Sequence, residues 1–270
     1  MTSTPQYGVL LTVAYDGTSF SGWARQTNAR TVAGEVDGAI RVLDPRATLV
    51  RVASRTDAGV HAAAQVAAFD STRDIDARGW VLGLARELPI EIGILRAART
   101  ELGYEPRHRA QRKIYRYSIL ESVVRDPFWE QRAWRIPYRL NHSLMHEVAQ
   151  SLVGTHDFRA FRGIEDSRDE TVRQIVRIDV RTAKNDPRIL EVEIEGNRFL
   201  YKMVRIIVGA LMDIGRGKLR RDALTRAIAS GLRTDLGITA PAQGLCLMRV
   251  YLDSEGWDAW PDPEVDQAAD

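Results

Sequence analysis

Asp57 lies in the run Ser54-Arg55-Thr56-Asp57-Ala58-Gly59-Val60-His61-Ala62, between two strand-like stretches. A carboxylate on a loop at a sheet edge can act as a nucleophile or accept a proton. The same residue types also build an ordinary Asx-type turn, in which Thr56 and Asp57 satisfy local backbone donors and Gly59 permits a sharp bend. Spacing alone leaves both readings open. His61 could ligate a metal, but no second histidine, cysteine or carboxylate follows at ligand spacing, so a hydrogen-bonded histidine and no metal are expected. Arg205 is a lone arginine on an otherwise apolar helix face. Buried, it needs a partner; snorkelling to water, it needs none. Tyr115 lies on a strand-like run, where by pattern alone it also reads as a core aromatic.

The elements that must hold these residues can be read from periodicity. Residues 7–15 form an apolar, β-branched run closed by Asp16-Gly17, and read as a buried strand. Val32, Val36, Ile40 and Leu43 recur at helical spacing. Residues 49–54 and 64–69 read as strands on either side of the Asp57 loop. Residues 113–120 read as another, with Tyr115, Tyr117 and Ile119 on one face. Asn141 caps a helix carrying Leu144, Val148 and Leu152. Leu190, Val192 and Ile194 alternate with Glu191, Glu193 and Glu195, the pattern of a half-buried strand. Residues 199–214 read as a long apolar helix closed by Gly215, residues 222–231 as a shorter one, and residues 244–252 as a last strand.

Mixed strands and helices with hairpin-like connections predict an α+β fold rather than a doubly wound parallel sheet. The expected division is an N-terminal half over 1–105, a C-terminal half over 106–252 and an acidic tail over 253–270. That tail is expected to be poorly ordered, with Trp257 and Trp260 as its possible anchors.

Composition narrows the function classes. The chain has 270 residues, 44% hydrophobic and 27% charged, which excludes a disordered chain, a collagen-like repeat and a small disulfide scaffold. The longest strictly apolar stretch runs only from Ile206 to Met212, against the roughly 20 residues a membrane-spanning helix needs. No signal-peptide pattern opens the chain. One cysteine, Cys246, permits no internal disulfide and no cysteine-based zinc site, and the expected compartment is the cytoplasm. The net charge is +2, yet the last 18 residues hold seven acidic and no basic side chains, which leaves +9 on residues 1–252. Arginine and lysine cluster between Arg107 and Arg116 and again between Arg216 and Arg221. A polyanionic partner fits that distribution, as does a solvated arginine-rich surface.

The run Arg55 to Ala62 resembles the signature of the tRNA pseudouridine synthase A family. The resemblance continues in order over about residues 8–252. Tyr15-Asp16-Gly17-Thr18, Phe20 and Gly22-Trp23 resemble the family's opening. Arg107, Ala110 and Tyr115-Arg116-Tyr117 resemble its central arginine-and-tyrosine segment. Gly154-Thr155-His156-Asp157-Phe158, Asn197, Met203-Val204-Arg205, Val208-Gly209 and Gly244-Leu245 resemble later blocks. Ser54, Ala24, Lys202 and His108 depart from the pattern.

The resemblance implies a pseudouridine synthase fold: two similar halves around a central mixed, mainly antiparallel sheet, with a cleft between them. It implies an enzyme that isomerises uridine to pseudouridine at positions 38, 39 or 40 of the tRNA anticodon stem-loop, as a homodimer and without a cofactor. Asp57 would be the nucleophile, Arg205 the cation that offsets the cost of keeping that carboxylate charged, and Tyr115 the residue stacked on the target base. Arg55 would fill the space left by a flipped base, and Thr56, His61 and Arg107 would contact the substrate. The alternative is a catalytically silent RNA-binding or tRNA-folding protein, which has no need to keep Asp57, Tyr115 and Arg205 together.

Overall fold

The computed structural model describes residues 4–167 and 169–261. The chain divides into two compact units, one of residues 1–111 with 247–270 and one of residues 112–246.

The first unit is built around β1 (Tyr7–Tyr15), whose residues Leu11 and Val13 have no exposed surface. It pairs antiparallel with β3 (His61–Ser71) on one side and β4 (Ile92–Thr100) on the other, and β2 (Arg51–Val52) extends β3. Helix α1 (Val32–Leu43) starts at Thr31, whose side chain accepts from Gly34 N, and buries Val32, Val36 and Ile40. Helix α2 (Ala77–Glu87) starts at Asp76 and sets Trp80 edge-on against Phe69 of β3, with ring centroids 4.9 Å apart. Asp44, just past α1, is fully buried, and it accepts from Ser71 Oγ at 2.8 Å and Thr72 N at 2.6 Å. Those bonds overcome the cost of burial, hold its pKa below the ordinary value and pin the end of α1 to the end of β3.

The second unit carries most of β5 (Ala110–Glu121), which follows the short helix α3 (Pro106–Arg109). Its sheet runs β5–β9–β8–β7, with β9 (Ile189–Gly196), β8 (Val172–Thr182) and β7 (Gly154–Asp157) all antiparallel. Strand β6 (Trp134–Ile136) lies parallel to the end of β5. Helix α4 (His142–Ala149) packs on β8 and against α5 (Met203–Gly215), and α6 (Ala223–Ser230) follows. Strand β10 (Leu245–Leu252) begins in this unit and continues into the first. The fold is α+β with mainly antiparallel pairing, as expected.

Four local expectations change. Residues 49–54 contribute only the two-residue β2. Helix α5 starts at Met203 rather than Phe199, because Lys202 has a φ of 60° and forms a turn with Tyr201. Part of the expected acidic tail is ordered. Trp257–Trp260 forms β11, which pairs with the edge of β4, and Tyr104 Oη donates to Ser254 O at 2.8 Å. These contacts join residues 254–260 to the first unit, to which residues 247–252 also belong, rather than to the second half as expected. Residues 262–270 of that tail lie outside the described residues.

The fourth change concerns β9. Glu193 and Glu195, expected in water, are buried at 8% exposure each. The register sets Arg116 of β5 opposite Glu193, and sets Arg177 and Arg181 of β8 opposite Glu195 and Glu191. Cross-strand neighbours stand close enough to pair directly. Arg116 Nη2 and Arg177 Nη2 each lie 2.9 Å from a Glu193 oxygen, Arg112 Nη1 lies 2.6 Å from Glu195, and Arg181 Nη2 lies 3.3 Å from Glu191. Burial opposes the charge on Glu193, but the hydrogen bond from Arg116 and the fields of Arg181 and Arg116 outweigh it and lower its pKa.

Candidate active site

The Asp57 loop joins β2 to β3, and neutral groups hold it from within the first unit. Tyr15, at the end of β1, places its hydroxyl 2.8 Å from Thr56 Oγ1. Gln65, fully buried in β3, donates from Nε2 to Ser54 O at 2.6 Å. Trp23 N donates to Thr56 O at 3.1 Å, and Val60 N donates back to Asp57 O at 3.1 Å. Gly59 has a φ of 75°, the left-handed conformation that a side chain would resist, and its N–H reaches Phe20 O. The loop is therefore anchored on both sides of Asp57 by bonds to its backbone and to Thr56.

His61 opens β3 and is buried at 8% exposure. Its Nδ1 accepts from Gly17 N at 3.1 Å and lies 3.3 Å from Asp16 Oδ1. Among the described residues, no three His, Cys, Asp or Glu side chains gather as a metal-binding group.

Asp57 is half-buried and Arg55 is exposed. Arg107 is exposed on α3, where Pro106 starts the helix. Among the described residues neither Arg55 nor Arg107 has an ion-pair partner. The other clustered cations do. Arg109 pairs with Glu101 and Asp253, Arg216 with Asp213, Arg220 with Asp222, and Arg221 with Glu147. The two basic clusters in the sequence are thus largely compensated in space.

Tyr115 and Arg205 belong to the second unit. Tyr115 is buried at 6% exposure, and its ring meets Phe199 edge-on with centroids 5.2 Å apart. Arg205 is half-buried in the first turn of α5, and its Nε donates to Ala240 O at 2.8 Å. Two positions along β5 from Tyr115, Tyr117 donates from its hydroxyl to Pro241 O at 2.8 Å. Burial pushes the Tyr117 hydroxyl far above its ordinary pKa, with the Arg205 charge opposing.

A family profile described as tRNA pseudouridine synthase matches residues 148–253. A tRNA pseudouridine synthase A of Acetivibrio thermocellus is 40% identical over 243 residues, covering 90% of this chain and 98% of its own length. The protein of that name from Geobacter sulfurreducens is 38% identical over 242 residues, with the same coverage. The chain belongs to the tRNA pseudouridine synthase A family. A further member from Bacillus pumilus is 36% identical over 248 residues. A solved Cbf5-Nop10-Gar1 complex overlaps 91% of this chain at 10% identity with a TM-score of 0.39, a likeness that supports no inference.

Two residues of this family member escaped the sequence reading as parts of the site. Tyr15 and Gln65 brace the Asp57 loop. The signal for Gln65 was present: it is a lone amide inside the otherwise apolar stretch from Ala62 to Phe69.

Proposed function

We propose that this protein isomerises uridine to pseudouridine in tRNA. The observation that carries the proposal is identity of about 40% to tRNA pseudouridine synthase A proteins across nine-tenths of the chain. The finer assignments rest on the family resemblance together with the braced Asp57 loop. The target uridines are those at positions 38 to 40 of the anticodon stem-loop, the working form is a homodimer, and the compartment is the cytoplasm.

The chemistry is internally balanced. The N1–C1′ bond breaks, the uracil rotates, C5 bonds to C1′, and the C5 proton is lost as N1 is protonated. No electrons enter or leave, and no cofactor is needed. Asp57 is the nucleophile, and Arg205 supplies a permanent cation that favours the charged carboxylate in a partly dry site. Tyr115 stacks on the uracil. A stacked, paired uridine must be flipped out first, and exposed Arg55, two residues from Asp57, fills the gap. Arg107, Thr56 and His61 line the approach of the substrate.

The test is to map pseudouridine in unmodified tRNA before and after incubation with the purified protein and with Asp57→Asn. New pseudouridine at positions 38 to 40 with the parent protein, and none with a folded Asp57→Asn, is expected. Tight tRNA binding with no pseudouridine would establish the silent RNA-binding alternative instead. Conversion by Asp57→Asn would remove the nucleophile assignment.

A further inference from the structure

Helix α5 presents Arg205, Gly209 and Asp213 at four-residue intervals, so they form one stripe along its surface. A single segment, residues 237–240, lies on all three. Ala240 N donates to Arg205 O at 3.0 Å, and Arg205 Nε donates back to Ala240 O. One turn further, the Ile238 carbonyl occupies the space a side chain on residue 209 would need. A Cβ on Gly209 would fall far inside 3.0 Å of Ile238 O and at 3.2 Å from Ala240 N, both backbone atoms. Another turn on, Gly237 rests on the carboxylate of Asp213, and a Cβ there would overlap Asp213 Oδ2.

Asp213 is fully buried in a helix whose other charged residue is Arg205. Arg216 Nη2 lies 2.7 Å from its Oδ1 and Lys218 Nζ lies 3.8 Å from its Oδ2, although neither is aligned as a hydrogen bond. These two cations offset part of the cost of burying the carboxylate. The far side of the segment is fixed. Arg233 donates to Leu236 O at 2.9 Å and to Thr239 Oγ1 at 3.3 Å, and Pro241 O accepts from Tyr117. An arginine side chain ordinarily samples many rotamers, and a bond through Nε fixes the plane of its guanidinium.

We propose that Gly209 and Asp213 are positioning residues that act through segment 237–240 to hold the Arg205 guanidinium in its working orientation. This rests on the reading that Arg205 serves the reaction as a permanent cation. Gly209 lets the segment approach the helix backbone, and Asp213 seats its other end. Neither touches the reacting atoms.

The experiment measures single-turnover pseudouridine formation, tRNA affinity and thermal unfolding for Gly209→Ala, Asp213→Asn and Arg205→Met, and for each of the first two combined with Arg205→Met. Gly209→Ala is expected to slow the step roughly tenfold or more while tRNA affinity stays within about twofold. Asp213→Asn, which keeps the shape, is expected to slow it several-fold. In the Arg205→Met background neither substitution should slow the step further, since residues acting through one group are not additive. A merely structural role would instead multiply the losses. Losses that multiply, or a parental rate for both single variants beside a slow Arg205→Met, would overturn the proposal. A parental rate for Arg205→Met would overturn the underlying reading instead. Should Gly209→Ala not fold, the Asp213→Asn pair of measurements decides the question alone.

Discussion

The loop bearing Asp57 and the sheet face bearing Glu191, Glu193 and Glu195 are both rich in polar side chains, but they use them in opposite ways. On the sheet face, charges meet charges. Arg112, Arg116, Arg177 and Arg181 are paired with Glu191, Glu193 and Glu195. In the loop, neutral groups do the holding. Tyr15, Thr56 and Gln65 bind one another and the backbone, and exposed Arg55 has no ion-pair partner among the described residues. A cluster of arginines in sequence is therefore no measure of positive surface. Registry decides, because a cross-strand glutamate cancels an arginine that a loop position would leave uncompensated.

The largest expected effect comes from loosening the loop. Gln65→Leu fills the same volume but removes the hydrogen bond that Gln65 Nε2 donates to the Ser54 carbonyl. Single-turnover pseudouridine formation is expected to fall about 10- to 100-fold, as for a misplaced catalytic group, with tRNA affinity unchanged. Tyr15→Phe should lose less, since Thr56 O keeps its bond from Trp23 N. A parental rate for both variants would mean the braces do not position Asp57, and the contrast between the two regions would lose its functional side.

Breaking the sheet face should cost stability, not rate. Glu193→Gln keeps the shape of a buried side chain that faces Arg116, Arg177 and Arg181, but removes its charge. The expected loss is about 1–3 kcal/mol, below the full figure for a buried pair because the arginines are partly exposed to water. Chemical denaturation measures it. The uncancelled arginines should also strengthen non-specific RNA binding at low salt. A slower isomerisation step with intact folding would show that this face takes part in catalysis.

How far each region could be read in advance follows from the same distinction. The Asp57 segment was legible as a loop because its signal is local: a short turn-forming run between two strand-like stretches. The alternation in β5 that sets Tyr115, Tyr117 and Ile119 on one face was legible for the same reason. The sheet face was not, because Arg116 finds Glu193 only after 76 residues of intervening chain have folded. Alternation on β9 identified an apolar side and a charged side, yet could not show that the charged side would be roofed. The start of α5 was misplaced because only coordinates reveal the left-handed Lys202. Strand β11 was hidden by its acidic surroundings, although Trp257 and Trp260 had marked the place where the chain could dock.

Salt dependence separates compensated from uncompensated arginines. A phosphate contact contributes somewhat less than one unit to the slope of log affinity against log salt. Arg55→Ala and Arg107→Ala are each expected to lower that slope by up to about one unit for tRNA. Arg112→Ala, whose charge already faces Glu195, is expected to leave it unchanged. Equal slopes for all three variants would show that pairing in the free protein does not predict which arginines meet RNA.

Acidification gives the smallest effect and the sharpest contrast. The carboxylate of Glu193 has a pKa below its ordinary value of 4.5. A depressed carboxylate contributes stability that is present above the ordinary value and is lost as pH falls through the folded one. The difference in unfolding temperature between the parent protein and Glu193→Gln should therefore be widest near neutrality. It should narrow as pH drops below about 4.5, by a few degrees at most for a unit of this size. Thr56 and Gln65 carry no ionisable group, so the difference between parent and Gln65→Leu should stay constant over it. Asp157 supplies an internal control. The hydrogen bond from Arg159, helped by Thr171 and opposed by burial, lowers its pKa to about 2, and the stability it adds persists to a lower pH than most carboxylates allow. A Gln65→Leu difference that closed in parallel with that of Glu193→Gln would mean the loop depends on charge after all, and the division between a neutral brace and an ionic face would fail.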